Sequence, residues 1–208
     1  MIRLDLPERI TVVKNRIAAA AARSGRTAAD ITLVAVSKTV DSDTVAHAYE
    51  LGLTDFGENR VQELNRKMEE VPHARWHLIG RLQTNKVKDV VGKSHLIHSL
   101  DRCSLAEYIE KRALMEGVTV PVLLQVNVSG EESKGGIPRS DVESFFEDLG
   151  QLNTISVRGL MTIAPEVDNP EETRPIFREM NRLFKQIKAR HKSGANLEIL
   201  SMGMTQDF

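Results

Sequence analysis

Apolar segments alternate with amphipathic ones along most of the chain. The first strong apolar run, residues 31–38, reads Ile-Thr-Leu-Val-Ala-Val-Ser-Lys and lacks regular polar alternation, which is typical of a strand buried on both faces within a parallel sheet. Because side chains alternate along a strand, Val34, Val36 and Lys38 share one face. Lys38 lies at the carboxyl end of this predicted strand, where α/β barrels and open α/β sheets place their chemistry. A solvated lysine that only ends the strand is the alternative.

The same pattern predicts six further strands and seven helices. The strands cover residues 54–57, 76–80, 95–99, 120–128, 157–164 and 197–202. The helices cover residues 7–24, the stretch between the caps at 41–43 and Gly52, and residues 61–72, 83–91, 101–117, 138–149 and 170–191. Asp101 or Ser104 is the expected cap of the fifth helix, and residues 130–136 form the most loop-like segment.

Strands that alternate with helices predict a parallel α/β fold, and no linker divides residues 1–208 into two domains. An open doubly wound sheet and a barrel both satisfy this pattern. The first strand ends in a lysine and not in the GxGxxG fingerprint of dinucleotide-binding sheets, so we favour a TIM-type (β/α) barrel. A closed barrel needs eight strands, and the seventh predicted strand lies just before Phe208, so the eighth is missing.

Composition narrows the function classes. A net charge of -1 gives no reason to expect a nucleic-acid or membrane partner, and no 18-residue apolar run predicts a membrane span. Cys103 is the only cysteine, which fits a reducing compartment, and the amino terminus lacks the apolar core of a signal peptide. The histidines show no metal-binding spacing. We therefore expect a cytoplasmic protein without a metal. A monomer is the default expectation, because the sequence shows no additional interface element.

Residues 201–205, Ser-Met-Gly-Met-Thr, follow the seventh strand directly. Barrel enzymes often bind phosphate after strands seven and eight, and a glycine lets the backbone approach an anion closely. A plain strand-end turn is the alternative. A lysine and a phosphate cradle in one barrel mouth together suggest a phosphorylated aldehyde or ketone held as a Schiff base.

A Schiff base requires a neutral lysine, although free lysine has a pKa of roughly 10.4. Burial or a neighbouring cation would lower that pKa. The candidate cations are Arg60, Arg81, Lys86 and Lys134, although the residue type favours an ordinary solvated surface charge for each of them.

Other polar residues carry weaker signals. Asn59 and Asn127 lie at predicted strand ends and could hydrogen-bond a ligand, with turn-forming asparagine as the alternative. His77 lies within a strand and reads as a satisfied core histidine. Residues 81–86 could rim the mouth or cap a helix, and residues 130–136 could form a lid or an idle loop.

Several motifs occur together and in order. They are Val-Ala-Val-Ser-Lys at 34–38, Phe-Gly-Glu-Asn at 56–59, Trp-His-Leu-Ile-Gly at 76–80 running on to Asn-Lys at 85–86, Gln-Val-Asn at 125–127, Lys-Gly-Gly at 134–136, Gly-Leu-Met at 159–161 and Ser-Met-Gly-Met at 201–204. From about residue 6 onward the chain closely resembles the pyridoxal phosphate homeostasis proteins, also called the YggS/PROSC family.

The resemblance implies a barrel similar to the amino-terminal domain of alanine racemase, with pyridoxal 5'-phosphate at its mouth. It implies that Lys38 forms the internal aldimine and that Asn59 lines the cofactor pocket. The phosphate-contacting segment corresponds to Ser201, Gly203, Met204 and Thr205, and Thr205 stands where the family usually has serine. Vitamin B6 homeostasis is the implied role, with apo forms of enzymes that use this cofactor as a further class of partner.

One departure from the family concerns the carboxyl terminus. Family members continue past the Met-Gly-Met-Ser segment into a helix and a strand similar to Val-Arg-Ile-Gly-Thr, which closes the barrel and supplies an arginine. Here residues 204–208 are the last ones. We therefore expect the natural protein to be longer than the sequence at hand.

Three functions are compatible with these residues. The first is a non-catalytic protein that holds pyridoxal phosphate, as the resemblance implies. The second is an amino-acid racemase, which needs a second base opposite the lysine. Tyr49 and Tyr108 are both predicted within helices, which argues against that role. The third is a Schiff-base aldolase, for which Glu58 is the nominated acid/base carboxylate.

Overall fold

The computed structural model describes residues 5–131, 135–191 and 197–207. Its strands are β1 (Val34–Val36), β2 (Asp55–Glu58), β3 (Arg75–Leu78), β4 (Leu96–Leu100), β5 (Val120–Asn127), β6 (Ile137–Pro138), β7 (Ile155–Met161) and β8 (Ile199–Ser201). Its α-helices are α1 (Leu6–Arg23), α2 (Ser42–Glu50), α3 (Val61–Glu70), α4 (Cys103–Glu116), α5 (Val142–Leu149) and α6 (Arg174–Arg190). Short 3-10 helices lie at Ala28–Asp30, Thr84–Asp89, Arg139–Asp141 and Pro170–Thr173.

The main sheet is parallel and curled. Its strand order is β1-β2-β3-β4-β5-β7-β8, and the short β6 pairs with β5 outside that order. The curl brings His98 Nδ1 on β4 within 3.0 Å of Ser201 Oγ on β8, although β5 and β7 lie between these strands. The predicted α/β barrel class is therefore confirmed. Among the described residues β1 pairs only with β2 and β8 only with β7, so this part of the barrel has two open edges.

Alternation along the strands divides the side chains between two layers. On the outer face, the rings of Phe56 and Trp76 lie 5.5 Å apart within the large core that the sheet shares with its helices. On the inner face a smaller apolar cluster joins four strands of the curl, namely Leu96, Leu123, Met161 and Ile199. On α2 to α6, buried residues spaced three or four positions apart pack on the outer face, as in the row Met180, Leu183 and Ile187 of α6.

The first strand differs from its prediction. Residues 31–38 were expected to form a strand buried on both faces, but β1 covers only three residues, of which Val34 and Ala35 are partly buried and Val36 is 46% exposed. The physical reason is its position at the edge of the sheet, where a strand has a neighbour on one side only. The apolar run therefore predicted correctly that a strand lies here, but the prediction that this strand is buried on both faces was wrong.

Three helix predictions also need correction. Residues 83–91 form a 3-10 helix at Thr84–Asp89, and Ile137–Pro138 is a short strand, so α5 begins only at Val142. Neither Asp101 nor Ser104 caps α4, whose N-cap position is Arg102. The Asp101 carboxylate is held instead by the Arg102 guanidinium. The predicted cap at Asp41 is confirmed, since its side chain accepts the Thr44 N–H at 2.7 Å.

In the parts of the chain that the structure describes, no helix combines the length and the apolar character needed to cross a bilayer.

Candidate functional site

A buried cluster of Ser37, Glu58 and Lys67 lies directly behind the end of β1. The Lys67 ammonium on α3 donates to Glu58 Oε1 at 2.6 Å and to the Ser37 carbonyl oxygen at 2.7 Å. The Ser37 hydroxyl donates to the same Glu58 oxygen at 2.8 Å. The Lys67 and Glu58 side chains are 0% and 1% exposed, so this is a fully desolvated ion pair with added hydrogen bonds. We call these three residues the clamp.

Two residues of the clamp, Ser37 and Glu58, lie at strand ends, and each fixes the position of the residue that follows it. Ser37 precedes Lys38, and Glu58 precedes Asn59. Since Ser37 and Glu58 direct their side chains outward to α3, alternation assigns the next residue of each strand to the inner side of the curl. Lys38 begins a tight turn in which Thr39 adopts a φ of 66°, and its side chain is exposed.

The backbone of Asn59 is held in place by close contact with Gly80. A Cβ at Gly80 would lie 2.2 Å from the Asn59 carbonyl oxygen, so only glycine allows the β3 loop to pack against this residue. The Gly80 carbonyl oxygen in turn accepts the Ser99 hydroxyl at 2.7 Å. The carboxyl ends of β2, β3 and β4 are therefore fixed to one another at the mouth of the curl.

The predicted phosphate segment follows β8 at the same end of the sheet. Gly203 adopts a φ of 93°, in the left-handed region that glycine enters at no steric cost. The Met204 N–H donates to the Asp207 carboxylate, so this backbone donor already meets an oxyanion. Ser201 is half-buried, while Gly203, Met204 and Thr205 are exposed. The segment thus brings backbone N–H groups and the exposed Thr205 hydroxyl to the mouth.

Large apolar side chains are exposed at this same end of the strands. Val36 lies at the end of β1 and Ile163 shortly after β7, and Met202 and Met204 follow β8, with exposures of 46%, 38%, 40% and 37%. Exposed apolar side chains beside a few polar donors are the usual lining of a site for a small organic ligand. The mouth therefore combines an amine, an apolar surface and hydrogen-bond donors that can bind an anion.

A row of four hydrogen-bonded side chains crosses the interior below the mouth. Asp55 Oδ1 lies 3.1 Å from His77 Nε2, His77 Nδ1 lies 2.9 Å from His98 Nε2, and His98 Nδ1 lies 3.0 Å from Ser201 Oγ. The two histidines and the aspartate are each less than 5% exposed. We call these four residues the interior row. It begins at the amino end of β2 and ends at Ser201, the last residue of β8.

The electrostatics of the interior row keep the aspartate charged and the histidines neutral. Burial raises the pKa of Asp55, but hydrogen bonds from Arg75, Thr54 and His77 outweigh it and hold the pKa at about 2. Burial and the neighbouring imidazoles of His77 and His95 lower the pKa of His98 to about 3. Burial also lowers the pKa of His77, against the opposing attraction of Asp55.

The other sequence candidates are not members of the clamp. Arg81 forms an ion pair with Asp101 at 3.6 Å, Arg60 is exposed at the start of α3, and Lys86 is half-buried in a 3-10 helix. Lys134 lies outside the described residues. Glu58 faces α3 within the clamp and not the mouth, so it is not an acid/base carboxylate for an aldolase.

Asn127 has the turn-forming role that the sequence left open. Its side-chain oxygen accepts the Gly130 N–H at 3.0 Å and the Ser129 hydroxyl at 3.2 Å, and its side-chain nitrogen donates to the Glu131 carbonyl oxygen at 3.0 Å. These bonds hold the first residues of the loop after β5. The expected lid at 130–136 falls partly outside the described residues.

Sequence reasoning missed Asp55, His98 and the clamp lysine. A signal for His98 exists, because residues 95–99 place histidine at an alternating position that faces inward with Leu96, where a barrel interior is normally apolar. Lys67 gives no such signal, since a lysine on an amphipathic helix is normally solvated. No group of three metal-binding side chains exists among the residues that the structure describes.

The chain is similar in sequence to proteins of a known family. The sequence pattern of the family described as "Alanine racemase, N-terminal domain" matches residues 12–208. A protein from Aquifex aeolicus (strain VF5), named pyridoxal phosphate homeostasis protein, is 44% identical over 203 residues, which are 97% of this chain and 88% of the relative. A protein of the same name from Escherichia coli (strain K12) is 34% identical over 210 residues, 98% of this chain and 88% of the relative.

Solved structures give the same likeness. PipY from Synechococcus elongatus PCC7942, with PLP bound, superposes with a TM-score of 0.84 at 32% identity, covering 98% of this chain and 91% of PipY. Its structure without PLP gives a TM-score of 0.86. An alanine racemase from Clostridium difficile 630 has a TM-score of 0.71 at 14% identity, covering 85% of this chain and 47% of the racemase, and that likeness concerns the fold alone.

Proposed function

The chain belongs to the alanine racemase N-terminal domain family and, within it, to the pyridoxal phosphate homeostasis proteins, and from this membership we propose that it binds pyridoxal 5'-phosphate at the carboxyl ends of its strands. The single observation that carries the proposal is the clamp, which holds the segment of an exposed lysine, Lys38, at that edge of the sheet.

The residues at the mouth fit this cofactor. Its aldehyde needs a primary amine, its ring needs apolar surface, and its phosphate needs N–H and hydroxyl donors. Lys38 supplies the amine, and Val36 and Met202 are exposed apolar side chains at the same end of the sheet. The Met204 N–H already pairs with the Asp207 carboxylate, which stands in for an anionic oxygen at the proposed phosphate position.

Lys38 is the residue we propose to hold the cofactor covalently. Its amine nitrogen, once neutral, forms a C=N bond to the aldehyde carbon, and the aldehyde oxygen leaves as water. Asn59, whose backbone is fixed by Gly80, lines the pocket, and Gly203, Met204 and Thr205 contact the phosphate. When bound, the cofactor supplies an electron-accepting ring to an attached amine.

We propose that the protein stores or delivers the cofactor and does not turn over a substrate with it. Racemisation needs a second base on the face opposite the lysine. Tyr49 packs half-buried against the core from α2, and Tyr108 on α4 is 55% exposed on the outer layer, so neither reaches the mouth. The relatives named above carry the name of a homeostasis protein and not of an enzyme.

Borohydride reduction followed by peptide mapping tests the covalent assignment. Pyridoxal phosphate added to the protein should give an absorption band of the lysine-bound cofactor, and reduction should place the adduct on the peptide containing Lys38. Lys38→Ala should lose both signals. Lys111→Ala, which removes an exposed lysine from the outer helix α4, is the matched control and should keep both. An adduct confined to another lysine would contradict the proposal.

Incubation with amino acids tests the non-catalytic assignment. The loaded protein should leave L-alanine and a panel of other L-amino acids unchanged, as followed by chiral chromatography. Lys38→Ala provides the background rate. Turnover that requires Lys38 would show that the protein is a racemase or another cofactor-dependent enzyme.

A further inference from the structure

The interior row has a direction that follows from the chemistry of its members. Asp55 accepts two hydrogen bonds from the Arg75 guanidinium, at 2.8 and 2.5 Å, and is therefore ionised and able only to accept. His77 Nε2 must then carry the proton of the bond to Asp55. A neutral His77 leaves Nδ1 as an acceptor, so His98 Nε2 carries the next proton.

The same step repeats once more and ends at Ser201. Because His98 Nε2 carries the proton of that neutral ring, its Nδ1 has a lone pair and accepts. The Ser201 hydroxyl must therefore donate its only proton to His98 Nδ1, at 3.0 Å. What Ser201 Oγ has left for a ligand at the mouth is lone pairs.

Both histidines are neutral because of the groups around them. Arg75 already balances the charge of Asp55, so Asp55 does not require a second cation. His95 approaches the His77 ring to 5.2 Å between centroids, and an Arg158–Glu198 ion pair, 2.7 Å from Nη2 to Oε2, joins β7 to the residue before β8. A proton on either histidine of the row would be a buried cation 2.9 Å from another imidazole.

We infer that Asp55, His77 and His98 are positioning residues that fix Ser201 as a hydrogen-bond acceptor toward the ligand. Ser201 then receives a ligand N–H or O–H, which in pyridoxal phosphate means the protonated ring nitrogen or the ring hydroxyl. The phosphate oxygens take their hydrogen bonds from the backbone N–H groups of 203–205 and from Thr205. This inference rests on the proposed cofactor and assigns Ser201 and Thr205 to different parts of it.

The first test is made without any ligand. Long-range 1H–15N correlation spectra of 15N-labelled protein at neutral pH should show His77 and His98 as neutral Nε2–H tautomers, with His77→Gln and His98→Gln spectra assigning the signals. An Nδ1–H tautomer or a charged ring at His98 would overturn the inference. Since no cofactor is present, this result is independent of whether the proposed function holds.

The second test compares pyridoxal 5'-phosphate with pyridoxal, which lacks the phosphate. Losing one hydrogen bond, about 1 kcal/mol or more, corresponds to a roughly fivefold or greater weakening of affinity. Ser201→Ala should weaken both ligands by this same factor, whereas Thr205→Val should weaken only the phosphorylated one. A Ser201→Ala loss that disappears with pyridoxal would place Ser201 on the phosphate and overturn the inference. If wild-type protein bound neither ligand, the proposed function would fail, and the tautomers would still decide the direction of the row.

Two variants of His98 test the positioning role. Asparagine places an amide near the position of Nδ1 and can still accept from Ser201, whereas glutamine places its amide near Nε2 and cannot. His98→Asn should therefore keep affinity for both ligands near the wild-type value, and His98→Gln should reproduce the Ser201→Ala loss. Glu110→Gln, which alters a buried carboxylate on α4 that binds Asn153 and Thr154, is the control for a general effect of core polarity. If His98→Asn and His98→Gln lost the same affinity for the two ligands, the interior row would have only a structural role.

Discussion

A buried histidine that stays neutral in the folded state lowers the free energy of unfolding at every pH at which the unfolded chain binds a proton at that residue. The folded-state pKa of His98 is about 3, against an ordinary 6.5, so between these values the unfolded chain binds a proton that the folded chain does not. The free energy of unfolding must therefore fall as the pH falls through this window. Asp55, with its pKa lowered from 3.8 to about 2, adds a loss of the same sign below pH 3.8.

The resulting prediction concerns urea unfolding as a function of pH. Between pH 7 and pH 5.5 the wild type should lose about 1 kcal/mol of stability through His98 alone, with smaller losses of the same sign from His77 and His95, whose pKa values are also lowered. His98→Asn should flatten the dependence because it removes the titrating ring. A profile of His98→Asn as steep as that of the wild type would show that other groups control acid stability.

The clamp supplies the second prediction at the scale of single residues. Lys67→Met leaves the Glu58 carboxylate buried without its partner, which typically costs about 3–5 kcal/mol. Chemical denaturation of the variant should show this loss. Glu58→Gln added to Lys67→Met removes the stranded charge and should recover most of the stability. If the double variant were as unstable as the single one, the loss would arise from packing and not from charge.

At the scale of elements, β8 depends on a glycine in β7. A Cβ at Gly159 would lie 1.7 Å from the Ile199 carbonyl oxygen, so any side chain would force β8 away from β7. Gly159→Ala should lower hydrogen-exchange protection at 199–201 and weaken pyridoxal phosphate binding through the segment that follows. Gly25→Ala is the control, because Gly25 has a φ of 70° but no atom within 4 Å of the added Cβ. We expect it to cost about 1 kcal/mol and to leave β8 unaffected.

The sequence predicted the strands well because most of them are short, largely apolar segments bounded by turns. Every predicted strand overlaps a strand of the sheet, including the one that ends near Lys38. Burial of β1 was predicted wrongly because an edge position depends on the partners of the strand and not on its own residues. The helix predicted at 83–91 is a 3-10 helix over Thr84–Asp89, which still buries Val87 and is followed by the buried Val90.

At the scale of the whole molecule, the missing information concerns side chains that meet across the curl. His98 and Ser201 are 103 positions apart, and Ser37 and Lys67 are 30 apart, so no local pattern relates them. The resemblance to a family identified Lys38 and the segment at 201–205 as candidates. The structure adds what lies behind each of them, the clamp behind the lysine and the interior row behind the serine.

The clamp also has a mechanical consequence. Lys38 and Asn59 belong to different loops, yet the residue before each is fastened to the same ammonium group on α3. Because one ammonium group holds both preceding residues, we expect any displacement of α3 to move the lysine and the asparagine together. The solvent face of α3 carries Arg66, which forms ion pairs with Glu63 and Glu70, and we expect a partner that binds this face to affect both residues through Lys67.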